Sequence, residues 1–334
     1  TISLLVLDEL HLLGTDRGHI IEAVTVRMKY ITPNIRIIGL SNTVSNPLDI
    51  AQFIDVSYRS VFNFNIKTRM VPLLKSVRGF PGRHFSSRMA AMNKPLSDDI
   101  LELSQEKPTL VFVSSRKQTR LTASDLISYA TTSGKTLFYV TPRSLAAAKK
   151  VQDKDLSRCL THGVGLHHAA LLPNDQEIVE TLFAEGHLKL LIATSNFAWN
   201  VKLSGYLVII KGTEYYNPRT GQFVPYSVTE MQQMMNHAGR PNIDSKGIVR
   251  IFCEETRKEF LEDFISCPFP IESSMLPSLY DHINAEIANQ RITSHSTLKK
   301  WLEHTYFAIR LNLNPLYYKN NTLAQLAEDA VKEL

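Results

Sequence analysis

The chain opens on a short apolar run at 2–7, Ile-Ser-Leu-Leu-Val-Leu, the pattern of a strand buried on both faces. Over 17–29 the residues Ile20, Ile21, Val24 and Met28 recur at helical spacing and predict a helix with that stripe inward. A second buried strand follows at 35–40 (IRIIGL). Ser45-Asn46-Pro47 then predicts a helix start, with Asn46 as cap and Pro47 in the first turn. The alternation recurs: strands at 109–113 (TLVFV), 189–193 (KLLIA), 207–210 (LVII) and 248–253 (IVRIFC), with helices near 116–130, 173–185 and 229–238. Strands alternating with helices imply a parallel sheet in an α/β layer. Two such blocks are expected, the first cut short on its N-terminal side, with a boundary near 63–69. Past about 258 the pattern turns helical, at 276–288, 296–312 and 322–333. No repeat of 20–50 residues and no low-complexity tract interrupts this order.

Composition narrows the class. A length of 334 residues suits about two domains and a sizeable core. The hydrophobic share is 44% and the charged share 21%, ordinary globular usage that excludes wholesale disorder and fibrous classes. No apolar run is long enough to span a membrane, and no secretory leader precedes the first strand. The chain begins at Thr1, directly on that strand, which reads as a piece of a longer protein. Cys159, Cys253 and Cys267 lie far apart without C-x-x-C spacing, so a reducing compartment, cytoplasm or nucleus, is expected. The net charge of +5 permits nucleic-acid contact without demanding it.

Candidate chemistry gathers at strand ends, where open α/β sheets bind ligands. Asp8-Glu9-Leu10-His11 follows the first strand. A carboxylate there can hold Mg²⁺ beside a phosphate, and its neighbour can orient or deprotonate water. Ser114-Ser115-Arg116 and Thr194-Ser195 follow two more strands, where hydroxyls and a guanidinium suit a phosphate backbone. Gln233 to Pro241 ends a helix and carries Arg240, whose fork of donors could reach a γ-phosphate. Trp199 fits core or interface packing better than base stacking, and His167-His168 reads as structural rather than metal-binding. Ser133-Gly134-Lys135-Thr136 imitates the end of a phosphate loop. Tyr129 stands where the loop needs Gly, a helix precedes it, and 137–140 is strand-like, so it is rejected. The Asn320-Asn321-Thr322 sequon carries no weight without secretion, and no Gly-x-Ser-x-Gly elbow supports a hydrolase triad.

Taken in order, these segments resemble the superfamily-two DExH-box helicases of the Ski-type group. Asp8–His11 matches motif II, Leu40-Ser41-Asn42-Thr43 motif III, and Val111 to Thr119 motif IV. Gly165 to Leu171 matches the adjoining His-His segment, Thr194 to Leu203 motif V, and Gln233 to Pro241 motif VI. The closest likeness is to the second cassette of the large two-cassette members, carried by Phe80-Pro81-Gly82-Arg83-His84, Ile209 to Tyr216 and Asp281 to Ile287.

The resemblance implies tandem RecA-like domains, the first truncated (1–66), the second complete (67–255). A mostly helical winged-helix domain (256–334) follows, at the start of a Sec63-like region. It implies ATP with Mg²⁺, stepping 3′ to 5′ on RNA, with DNA as an alternative strand. Partners would be the other cassette of the parent chain and the proteins of a complex. Asp8 would hold the metal and Glu9 would activate water. Glu9, His11, Asn200, Gln233, His237 and Arg240 would line the nucleotide site. Ser41 and Thr43 would couple it to the strand, while Ser114, Ser115, Arg116, Thr194 and Ser195 would hold the nucleic-acid backbone.

Departures from the pattern matter. Asn236 and His237 replace a Gly and an Arg of motif VI, and Asn42 replaces the usual Ala of motif III. Asn200 replaces a Gly of motif V, tolerable if that position needs positive φ. The expected activity is that of a helicase cassette with weakened ATPase. The alternatives are a degenerate cassette serving as a regulatory scaffold, or a spliceosomal cassette. No Walker-type phosphate loop occurs within 1–334, so these residues alone are expected to hydrolyse no ATP.

Overall fold

A computed structural model describes residues 2–64, 68–82, 84–104, 106–134, 139–266, 270–319 and 321–333. The chain divides into two compact units, residues 1–64 together with 267–334, and residues 65–266.

The first unit begins with β1 (Leu4–Leu7), α1 (Gly18–Ile31), β2 (Arg36–Gly39) and α2 (Pro47–Phe53). β1 and β2 pair in parallel, Leu4 with Arg36 through Leu7 with Gly39. Half of the stripe expected to face inward on α1 faces out, with Ile20 and Val24 51% and 41% exposed, while Ile21 and Met28 are partly buried and Ile21 packs against the core. The buried face carries Gly18, Glu22, Ala23, Thr25 and Val26. A carboxylate can occupy that face because Glu22 accepts hydrogen bonds from the Ser273 hydroxyl (2.7 Å) and the Phe307 N–H (2.6 Å). Asn46 and Pro47 stand at the cap and first turn of α2 as expected, but the Asn46 side chain makes no capping bond. Its amide is taken up by Asp49 (2.9 Å), the Tyr306 hydroxyl (3.0 Å) and the backbone of Ile271, so it ties two distant chain segments together instead.

The second unit runs β3 (Leu73–Phe80), α3 (Phe85–Ala91), α4 (Asn93–Leu103), β4 (Thr109–Val113), α5 (Arg116–Ser133), α6 (Pro142–Ala148) and α7 (Lys154–Leu160). It continues with β5 (Val164–His167), α8 (Pro173–Ala184), β6 (Leu190–Thr194), α9 (Phe197–Asn200), β7 (Leu207–Lys211), β8 (Glu214–Asn217) and β9 (Gln222–Pro225). α10 (Val228–Asn236), β10 (Gly247–Glu254) and α11 (Lys258–Ser266) close it. Six strands form one parallel sheet in the order β3-β10-β7-β4-β6-β5. The central strands β4 and β7 are buried along their whole length, the signature of a sheet covered on both faces. β8 and β9 form an antiparallel hairpin of their own. α5 is capped by Ser115, whose hydroxyl accepts the Gln118 N–H, and α10 by a Ser227–Glu230 capping box. α5 continues to Ser133 and ends on Gly134 at φ 63°, so the phosphate-loop imitation sits at a helix end; residues 135–138 lie outside the described residues, and Tyr139 and Val140, the rest of the segment expected to be strand-like, form no strand.

The chain then returns to the first unit with α12 (Leu279–Ala288), α13 (His295–Glu303), α14 (Tyr306–Leu313) and α15 (Leu323–Glu333). The single helix expected over 296–312 is broken at His304-Thr305, where the Thr305 hydroxyl accepts the Ala308 N–H and starts α14. These helices share one core with the N-terminal segment: Leu10, Phe53 and Ile54 pack in the same cluster as Met275, Trp301, Tyr306 and Phe307. The Phe53 and Tyr306 rings lie 5.7 Å apart. Cys159 and Cys253 are buried free thiols pushed up to about 11 by desolvation; Cys267 is outside the described residues.

Candidate nucleotide and nucleic-acid sites

In the first unit the end of β1 delivers Asp8 to the surface, where its Oδ1 accepts the Glu9 N–H (2.9 Å). Glu9 adopts φ 56°, ψ 44°, a left-handed conformation unusual for a side-chain-bearing residue. Such strain is found where the surrounding structure over-determines the backbone, often at functional sites. Backbone bonds fix the turn: the Leu10 N–H donates to Leu40 O (2.9 Å) and the Leu40 N–H to Leu7 O (2.8 Å). The strand ends bearing motifs II and III are therefore stitched together.

His11 lies 2% exposed beneath this turn. Its Nδ1 accepts the Asn42 N–H (3.4 Å), which leaves the proton on Nε2, 3.2 Å from Glu9 Oε2. The Asn42 side-chain amide lies 3.3 Å from the same Nε2. Burial pulls the imidazole down to about 4, against a small opposing pull from Asp8, so it is neutral at physiological pH. Ser41 and Thr43 are exposed on either side, and Asn42 brings its side-chain amide to motif II. Sequence reasoning marked Asn42 only as a departure; an Ala there would have no amide to offer.

In the second unit the parallel register assembles a rim. Val113 of β4 pairs with Thr194 of β6 and with Lys211 of β7, and Ala193 pairs with His167 of β5. Ser114, Thr194 and Ser195 are therefore neighbours at one sheet edge, half-buried, with Ser115 and Arg116 exposed beside them. Arg116 lies 3.9 Å from Asp153, and the Tyr226 phenol is hydrogen-bonded to Ser195. Lys211 is buried at this rim and lowered to about 8 by desolvation; its ammonium donates to the Thr122 hydroxyl (2.9 Å) and to Asn93. His167 Nε2 donates to Glu180 Oε1 (2.8 Å), and the ring packs edge-on against Phe197 of α9. Trp199 does not join the core, being 41% exposed. Asn200 ends α9 without positive φ, so the condition attached to a Gly-to-Asn change does not arise.

Motif VI folds inward at one residue and outward at another. His237 is 8% exposed, with Nδ1 2.5 Å from Leu203 O, Nε2 3.2 Å from Ala198 O, and its ring against Phe112 and Phe197. It pins motif VI to motif V. Arg240 is partly exposed and is gripped by Asp244. Gly239, at φ 82°, sets the turn between them; a Cβ there would stand 2.5 Å from Val71 Cγ1. Gln233 is half-buried on α10, and Asn236 accepts a hydrogen bond from Arg69 (3.4 Å). Thus Asp8, Glu9, His11 and motif III come together in one unit, and Gln233, His237 and Arg240 in the other. Sequence reasoning missed Asp244, although its i,i+4 spacing from Arg240 is a readable signal.

Among the described residues, no group of three or more His, Cys, Asp or Glu is arranged to hold a metal ion, and no helix is long and apolar enough to cross a membrane.

Comparison with known proteins decides the kinship. The chain is 40% identical over 349 residues to activating signal cointegrator 1 complex subunit 3 of Danio rerio, covering all of this chain and 23% of that protein. Against the Homo sapiens protein of that name, identity is 41% over 339 residues, 99% of this chain and 15% of the relative. The chain is homologous, along its whole length, to DExH-box RNA helicases. The Arabidopsis thaliana DExH-box ATP-dependent RNA helicase DExH14 adds 41% identity over 324 residues, 95% of this chain and 15% of that protein. Residues 272–333 match a winged helix-turn-helix domain family. That match gives a fold name to the segment read from sequence as helical and containing α12 to α15. The chain spans less than a quarter of the length of these relatives.

Proposed function

We propose that this chain is the catalytic middle of an ATP-driven 3′-to-5′ RNA helicase cassette: the end of one RecA-like domain, a second RecA-like domain, and a winged helix. The observation that carries the reading is the joint placement of DExH, motif III, motif V and motif VI residues at strand ends and helix ends. Asp8, exposed at the end of β1, suits Mg²⁺ that arrives with the nucleotide. Bound ATP supplies the hydrolysable phosphoanhydride. Glu9, held by its strained turn, orients or deprotonates the attacking water. Gln233 and Arg240 face the nucleotide, Asn42 and His11 relay its state to motif III, and Ser114, Ser115, Arg116, Thr194 and Ser195 hold the RNA backbone. The other cassette of the parent protein and the members of a complex are its partners, and DNA is a second strand to test.

His237 favours a second reading, a cassette of weak turnover that regulates its neighbour. Both ring nitrogens of His237 face backbone carbonyls, so neither is turned to a phosphate, where an arginine would bring a fork of donors. In the intact protein, with any other nucleotide site in it silenced, Glu9→Gln is expected to reduce RNA-stimulated ATP turnover by about 10²-fold or more, and unchanged turnover refutes a working site. His237→Arg separates the readings: a large rise supports degeneracy, and no change supports a site that tolerates histidine. Residues 1–334 alone are expected to show no ATP hydrolysis, and RNA-stimulated turnover by them refutes that expectation.

A further inference from the structure

Arg240 is held by a device that the functional reading leaves unused. Its Nε donates to Asp244 Oδ2 (2.8 Å) and its Nη2 to Asp244 Oδ1 (2.9 Å), a two-point grip on one edge of the guanidinium. The Arg240 N–H also donates to Oδ2 (3.1 Å), and the Asp244 N–H donates back to Arg240 O (3.0 Å). The turn is thus closed by both backbone and side chain. On either side, Gly239 at φ 82° and Pro241, with its fixed φ, leave the backbone of Arg240 little freedom. The Asp244 side chain is 1% exposed, whereas that of Arg240 is 23% exposed. A carboxylate so buried needs compensation, and it has Arg240 and, at 3.7 Å, the Lys107 ammonium, itself 4.1 Å above the Tyr206 ring. The Arg240 hydrogen bonds hold the Asp244 carboxyl below the usual carboxylate range, so it is charged at neutral pH.

A guanidinium has five donors. Asp244 occupies Nε–H and one hydrogen of Nη2, leaving the Nη1 edge and the second Nη2 hydrogen. We propose that Asp244 is a positioning residue that orients Arg240, so that its Nη1 edge is the one offered to a nucleotide phosphate. The inference rests on the assignment of Arg240 to the nucleotide site and deepens it. A long side chain otherwise samples many rotamers; a buried carboxylate on the opposite edge removes that freedom before the phosphate arrives.

The test uses steady-state ATP turnover by the intact protein, with any other nucleotide site in it silenced, for Arg240→Ala, Asp244→Ala, Asp244→Glu and the double Ala variant. Misplacement of a transition-state contact costs on the order of 10²-fold, so Asp244→Ala should lower kcat by about that factor with KM for ATP unchanged. Asp244→Glu should recover part of the loss. The double variant should equal Arg240→Ala, because removal of the guanidinium leaves Asp244 nothing to position. Where Asp244→Ala does not fold, Asp244→Asn carries the same comparison, since it keeps the shape but cannot accept both donors. Wild-type turnover by the Asp244 variants overturns the proposal. So does an equal loss from Asp244→Ala in the Arg240→Ala background, which would mark a purely structural carboxylate. Unchanged turnover by Arg240→Ala removes Arg240 from the site, and the proposal falls with the functional reading. Loss with Arg240→Ala but none with Asp244→Ala sinks the proposal alone.

Discussion

Raising the pH from 5 to 8 is expected to weaken the unit built from residues 1–64 and 267–334 through one carboxyl group. Glu22 is fully buried on α1, and desolvation raises it from 4.5 to about 7 despite hydrogen bonds from Phe307 and Ser273. A carboxyl whose folded value is raised favours the folded state fully below about 4.5, and that contribution is lost as the pH rises through 7. At about 1.4 kcal/mol per unit, the shift amounts to roughly 3 kcal/mol in all, of which about 2–3 kcal/mol falls between pH 5 and 8. That is a large part of the 5–15 kcal/mol typical of a domain. Glu22→Gln mimics the protonated acid: its carbonyl can accept the Phe307 N–H, and its amide can donate to the Ser273 hydroxyl. The two tryptophans allow a clean assay. Trp301 is 7% exposed in this unit, and Trp199→Phe silences the other. Urea titrations followed by Trp301 fluorescence at several pH values should put the Glu22→Gln chain ahead by about 1 kcal/mol at pH 5 and by about 3 kcal/mol at pH 8. The difference between the two chains cancels other titrating groups, including the His19–His282 pair, whose ring nitrogens lie 2.7 Å apart. A difference independent of pH, or one that grows on acidification, refutes the reasoning.

His11 should remain neutral at pH 6 and titrate near 4, so its contribution to stability is present above about 6.5 and lost as the pH falls toward 4; NMR shifts of its ring protons check this, and titration near 6.5 contradicts it. Gly239→Ala should destabilise the sheet unit by about 1–3 kcal/mol, since it forces a left-handed φ on Ala and meets Val71, and thermal unfolding measures the cost. Arg116→Ala should weaken RNA binding and flatten the log K against log salt slope by about one unit. An unchanged slope removes Arg116 from the backbone contacts.

The strands β4, β6, β7 and β10 were legible because each is a largely apolar run, interrupted in β10 only by Arg250, and each is paired on both sides. β3 was not: it pairs only with β10, at the sheet edge, and Lys75, Ser76 and Arg78 break its apolar pattern. The hairpin β8–β9 turns at Asn217 to Gly221, with Gly221 at φ 68°, and its short strands lack a continuous apolar run. The face of α1 misled because tertiary partners for Glu22 outweighed the apolar stripe. At the site, motif order was readable because each segment follows a strand or a helix. The inward turn of His237 was not, because its partners are backbone carbonyls that no side-chain pattern announces.

The first unit is assembled from two stretches of chain with the whole sheet unit between them. Its core needs Tyr306, Phe307 and Trp301 beside Phe53 and Leu10. During synthesis Leu10 and Phe53 therefore wait for these partners while the ribosome makes the intervening segment, roughly ten to forty seconds at 5–20 residues per second. The six-stranded sheet can condense in that interval; its discontinuous neighbour closes last.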